Sequence, residues 1–109
     1  MEFNDYQEKA GSTAIYTGRG SNIYYPTLGL AGESGEVCEK VKKVMRDSDG
    51  VVSPETKELL KKELGDILWY VSALSDELGL SLEDVAQHNI DKLFDRKKRG
   101  KLQGSGDKR

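Results

Sequence analysis

The sequence predicts an all-α bundle of four to five helices, and three observations carry that prediction. Leu60, Leu64, Ile67, Leu68, Val71, Leu74 and Leu78 recur at three- and four-residue steps, the period of a helix with one buried side. Two segments open on strong helix-start signals, Ser53-Pro54-Glu55-Thr56 and Ser81-Leu82-Glu83-Asp84. No stretch alternates apolar and polar residues long enough to make a strand, and no internal repeat is convincing.

The elements follow in order. Residues 4 to about 17 read as a first helix, with Asn4 as its N-cap and Phe3, Ala10, Ala14 and Ile15 as a packing edge. Gly18-Arg19-Gly20-Ser21-Asn22 is a loop by composition. It lacks the GxxxxGK[ST] pattern, so its glycines do not make a phosphate loop. Pro26 fits the first turn of a second helix over residues 26–46. Gly29, Gly32 and Gly35 fall inside that span, each costing about 1 kcal/mol relative to Ala. They either admit a close neighbour or mark an irregular helix start. Asp47-Ser48-Asp49-Gly50 has only a faint likeness to a calcium loop, because its glycine falls at the fourth position where the sixth is required. It is an ordinary connection. Serine cap, proline and acid then open a third helix over 54–78, closed by Gly79. Ser81 and Asp84 form a capping box for a fourth helix over 82–99, which carries Val85, Ala86, Ile90, Leu93 and Phe94. Residues 100–109 have no periodicity and read as an irregular basic tail.

With 109 residues the chain has room for one domain, and a core of that size gains from association. Seventeen basic residues against 19 acidic ones give a net charge of −2, which carries no global nucleic-acid signal. The positive charge is concentrated late, in Arg96, Lys97, Lys98, Arg99, Lys101, Lys108 and Arg109. A single cysteine, Cys38, excludes an internal disulfide and suits a reducing compartment. No apolar run approaches the roughly 18 residues of a membrane span, and the start of the chain lacks a signal-peptide pattern. A cytoplasmic protein without membrane contact is expected.

Two acidic pairs stand out, Glu33-Ser34-Gly35-Glu36 and Glu63-Leu64-Gly65-Asp66. Spacing of i,i+3 puts both acids of a pair on nearly one helix face. Glu33 leads into Val37, Val41 and Val44, and Glu63 into Ile67 and Val71, so these carboxylates lie on or beside the side that packs. Charges there need compensation, and four hard oxygen donors on facing helices suit a divalent cation, Mg²⁺ first. The plain alternative is solvated helix surface. A ferritin-like di-iron site would need Glu-x-x-His on two helices. Only His88 is present, and it follows neither pair, so it reads as a surface or half-buried residue. Asn89, Lys92 and Arg96 share a face of the fourth helix, where a cationic stripe binds phosphate oxygens or merely complements the helix dipole. Trp69 and Tyr70 read as core before base-stacking residues.

Together these segments resemble the MazG-like all-α nucleoside triphosphate pyrophosphohydrolases. Tyr25 to Glu36 (YPTLGLAGESGE) is similar to that family's first motif, Glu63 to Tyr70 (ELGDILWY) to its second, and Asn89 to Arg96 (NIDKLFDR) to its third. The tail from Arg99 to Asp107 resembles the short single-domain members, many of them bacterial or phage-borne. One departure is clear: Gly32 and Lys62 stand where the fuller motif doubles its leading acid. The resemblance implies Mg²⁺-dependent hydrolysis of an NTP or dNTP to monophosphate and pyrophosphate for nucleotide-pool house-cleaning, with Mn²⁺ a possible substitute. It implies that Glu33, Glu36, Glu63 and Asp66 hold metal and act in catalysis, with Glu33 the candidate acceptor of the water's proton. It also implies that Asn89, Lys92 and Arg96 contact phosphate or sugar, and that a homodimer or a dimer of dimers shares the site. Two other classes stay open on sequence: a silent metal-stabilised dimerisation module, and a nucleic-acid binder working through the basic tail.

Overall fold

Local chemistry sets where each helix begins and ends in the computed structural model, which describes residues 1–109. The first helix, α1 (Phe3–Gly11), is shorter than expected. Beyond it Ser12 Oγ donates to Lys9 O at 2.6 Å and Thr13 Oγ1 to Ala10 O at 2.7 Å, so side chains claim the carbonyls a longer helix would use. Asn4 is not its N-cap. Glu2 holds that position, and the Asp5 carboxylate accepts from the Glu2 N–H at 3.2 Å. Asn4 instead lies inside α1 and donates to Glu83 Oε2 at 2.8 Å while accepting from Ser81 Oγ at 3.2 Å. Gln7 donates to Asp76 Oδ1 and Leu80 O and accepts from the Leu82 N–H at 2.7 Å. Two amide side chains thus pin α1 over the turn between the last two helices.

The glycine loop is held by one acid. Glu77 accepts from the Tyr16 hydroxyl, from Gly20 N–H at 2.9 Å and from Asn22 N–H at 3.1 Å. Gly18 (φ 73°) and Gly20 (φ 96°) supply left-handed turns that other residues adopt at a cost. Asn22 Oδ1 then accepts from Tyr24 and Tyr25 N–H, which starts α2 (Tyr24–Asp47) two residues ahead of Pro26. Pro26, in its first turn, is fully buried.

α3 (Pro54–Glu77) begins where its signals say, with Thr56 N–H donating to Ser53 Oγ at 3.1 Å and proline in the first turn; Gly79 (φ 68°) follows its end. It pairs antiparallel with α2: Gly29 faces Tyr70, Lys40 meets Glu63, and Val44 lies beside Thr56 and Leu59. α4 (Leu82–Lys98) packs on α1, with Asp84 N–H on Ser81 Oγ at 3.2 Å. The tail contains no helix, yet it is anchored: buried Arg96 donates to Asp107 O at 2.6 Å, and Arg99 Nη2 to Arg109 O at 2.7 Å.

One chain buries little. Only eight of 109 residues are buried, and the accessible surface is 8085 Å². A compact folded protein of 12.1 kDa exposes about 6,000 Å². The radius of gyration is 16.8 Å, against about 13 Å for a compact domain of this length. Apolar pairs one turn apart face outward on three helices: Val41 and Met45, Leu64 and Leu68, Ile90 and Phe94. No helix is long and apolar enough to cross a membrane.

Candidate active site

The α2–α3 register brings Glu33 opposite Glu63 and Asp66. One carboxylate oxygen from each lies within 4.8 Å of the others, with Glu33 and Glu63 half-buried and Asp66 exposed. This is the expected face of both helices: Glu33 belongs to the side of α2 that carries buried Pro26 and Val44. The helical period puts Glu33, Glu63 and Asp66 on the facing sides of α2 and α3.

Crowded carboxylates repel one another. Glu33 is lifted above the usual carboxylate range, first by the facing Glu63 carboxyl, then by burial and the nearby Asp66 charge. Glu63 is held below that range, first by the Lys40 ammonium and then by the facing Glu33 carboxyl. Lys40 Nζ sits 2.8 Å from Glu63 Oε1 and is itself raised by that contact. The trio therefore carries more negative charge than its neighbours balance, and its donors are all hard oxygens. Those features fit a divalent cation such as Mg²⁺.

The fourth expected ligand stands apart. Glu36 is not within the trio; its exposed carboxylate lies 3.7 Å from Lys40 Nζ, one helical turn along α2. The i,i+3 rule puts Glu33 and Glu36 on one face, but a side chain on the edge of that face turns toward the nearer cation. Lys40, seven residues beyond Glu33 and four beyond Glu36, shares their face by the same spacing.

A cavity of about 390 Å³ opens beside the acids, lined by Thr13, Glu33, Asp66, Trp69 and Tyr70. Trp69 Nε1 donates to Thr13 Oγ1 at 2.8 Å, and Trp69 meets Tyr70 edge-on with ring centres 5.0 Å apart. Both aromatic residues are half-buried and border the acid site, so they are not simple core residues. Thr13 gave no sequence signal, because only the early end of α1 brings it here. Tyr6 is also near, its hydroxyl pushed up by burial and by the Asp66 charge.

The cationic stripe is not gathered at the acids within one chain. Asn89 is exposed and Lys92 half-buried on α4, which packs against α1. Arg96 is 5% exposed and spends its guanidinium on the tail, so the open face expected for it is absent in this chain. His88 is exposed and far in sequence from every acid of the trio.

Comparisons with known proteins find relatives of the chain. Residues 26–100 match the model of the MazG nucleotide pyrophosphohydrolase domain, a span that includes both acidic pairs and the α4 stripe. The chain is 47% identical over 114 aligned residues, covering all of both chains, to the Gene 37 protein of Mycobacterium phage L5. No solved structure matches. With most of its length inside that match and its acids on two paired helices, the chain belongs to the MazG nucleotide pyrophosphohydrolase domain family.

Proposed function

We propose that the protein hydrolyses nucleoside triphosphates, ribo or deoxy, to the monophosphate and pyrophosphate in the service of the nucleotide pool. The observation that carries this reading is the convergence of Glu33, Glu63 and Asp66 from two helices of a family built for such hydrolysis. These three residues would hold Mg²⁺, or Mn²⁺ in its place. Such an ion neutralises charge on phosphate oxygens and makes bound water more acidic.

The chain's own groups divide the remaining work. An acid not fully engaged with the ion would take the attacking water's proton, and Glu33, which lines the cavity, is the candidate. Lys40 keeps Glu63 ionised and oriented. Trp69 and Tyr70 wall the cavity beside the acids and exclude water from one side. Asn89 and Lys92 would supply phosphate or sugar contacts from α4, the helix that also carries Arg96.

A homodimer, or a dimer of dimers, completes the fold. The surplus of roughly 2,000 Å² over a compact monomer is the scale that obligate interfaces bury. The outward apolar pairs on α2, α3 and α4 supply its chemistry. In such an assembly the contacts from α4 would come from a neighbouring copy.

Pyrophosphate release from a panel of NTPs and dNTPs with Mg²⁺ tests the reading, alongside Glu63→Gln and Asp66→Asn. Release that depends on Mg²⁺ and collapses in both variants is the expected result. Undiminished release in both would remove the acid trio from catalysis.

A further inference from the structure

We infer that α1 is a flap, which opens as a unit from the rest of the molecule and whose docking completes the wall of the cavity beside the acids. Its link to nucleotide rests on the hydrolysis proposed above and deepens that reading. No residue of α1 is buried. Its hold on the bundle is polar: Asn4 bonds Glu83 and Ser81, and Gln7 bonds Asp76, Leu80 and Leu82. Most of these bonds face water, which competes for them, so each contributes little net stability. Under the helix, Ala10 and Gly11 close over Ser72, Ala73 and Asp76. Ser72 is 1% exposed there, and its Oγ has no hydrogen-bond partner. A hydroxyl stranded in this way destabilises the docked state and is relieved when α1 lifts and water enters.

The pivot and its consequence are both local. Glu77 ties down Tyr16, Gly20 and Asn22, so the loop beyond α1 stays with α3 when α1 moves. Between that clamp and Thr13 lie Ala14 and Ile15. Ile15 is 92% exposed and can turn without disturbing a packed side chain. Thr13 travels with α1, because its hydroxyl donates to Ala10 O at 2.7 Å and its N–H to the same carbonyl at 3.0 Å. The same hydroxyl accepts the Trp69 indole N–H at 2.8 Å, and Thr13 lines the cavity with Glu33 and Asp66. Lifting α1 therefore removes one wall of the cavity and takes away the acceptor that holds the Trp69 ring. A nucleotide seated in the cavity favours the docked form, and by linkage firmer docking of α1 favours nucleotide.

Amide hydrogen exchange of the full-length protein, read by mass spectrometry first without nucleotide, tests the flap. Peptides from α1 are expected to exchange about tenfold or more faster than those from the paired stretches of α2 and α3. Gln7→Met keeps the bulk of the side chain and loses its hydrogen bonds, and should speed α1 exchange about fivefold further. Ser72→Ala removes the stranded hydroxyl and should slow it about threefold. Each effect is read as the ratio of α1 to α2–α3 exchange within one protein, which cancels any general change in stability. A saturating α,β-methylene analogue of the triphosphate hydrolysed fastest, with Mg²⁺, should lower the ratio about fivefold or more. Gln7→Met should raise KM severalfold and leave kcat within a factor of about two. Exchange of α1 at the α2–α3 rate, a ratio shared by all three proteins, or a ratio that the analogue leaves unchanged overturns the flap. Hydrolysis of no triphosphate overturns the nucleotide reading and the coupling with it, while the ratios without nucleotide still decide whether α1 opens alone.

Discussion

Gly29 on α2 faces the ring of Tyr70 on α3 so closely that a Cβ at position 29 would lie 2.2 Å from Tyr70 Cε1. Glycine is needed there because the helices touch, not because the backbone bends. Gly32, Gly35 and Gly65 have open space at the same test. The contact lies one turn before Glu33, so it sets the distance at which the acids of α2 meet those of α3.

Gly29→Ala should therefore destabilise the protein, because the Tyr70 ring or the whole helix must shift. Overpacking of this kind costs about 1–3 kcal/mol. Gly35→Ala, with nothing to displace in the chain, should instead gain up to about 1 kcal/mol from helix propensity. Urea unfolding of both variants gives the comparison, and equal midpoints would contradict the packing account.

Activity should separate the acids. Glu63→Gln and Asp66→Asn are each expected to lower kcat/KM by about a hundredfold or more, the scale of losing one charged group that acts in the transition state. Glu36→Gln should cost far less, since its carboxylate answers to Lys40 and not to the trio. An equal loss at all three positions would place Glu36 back among the ligands.

The loop clamp should titrate at both ends of the pH scale. Glu77 is held below the usual carboxylate range, chiefly by the Tyr16 hydroxyl and then by the Gly20 N–H. Its contribution is present above the ordinary glutamate value and is lost as pH falls through the lowered one. Tyr16 is pushed up to about 12, first by burial and then by its bond to Glu77. Its contribution is complete below the ordinary tyrosine value of 10.0 and is lost as pH rises from there to about 12. The difference in thermal midpoint between wild type and Tyr16→Phe should form a plateau near neutrality and shrink on both sides. A difference independent of pH would show that the ring, not the hydroxyl, matters.

Association should be measurable as mass. Analytical ultracentrifugation is expected to return at least twice the 12.1 kDa of one chain. Leu64→Asp, on an exposed apolar position of α3, should shift the species toward monomer and lower the unfolding midpoint with it. A wild type that sediments as a monomer would leave the surplus apolar surface without an explanation.

The helical period and the caps of the sequence determined the all-α class, the start of α3 at Pro54, the span of α4 and the face on which Glu33, Glu63 and Asp66 lie, because those depend on neighbours within a few residues. Tertiary structure decided what such neighbours cannot. Ser12 and Thr13 ended α1 early, and Trp69 then took Thr13 as its acceptor, a contact between residues 56 positions apart. Glu36 and Arg96 have the right spacing for the site, yet the competing partners Lys40 and the Asp107 carbonyl claimed them. Spacing fixes the direction in which a side chain leaves its helix; the partner it meets depends on how the helices dock.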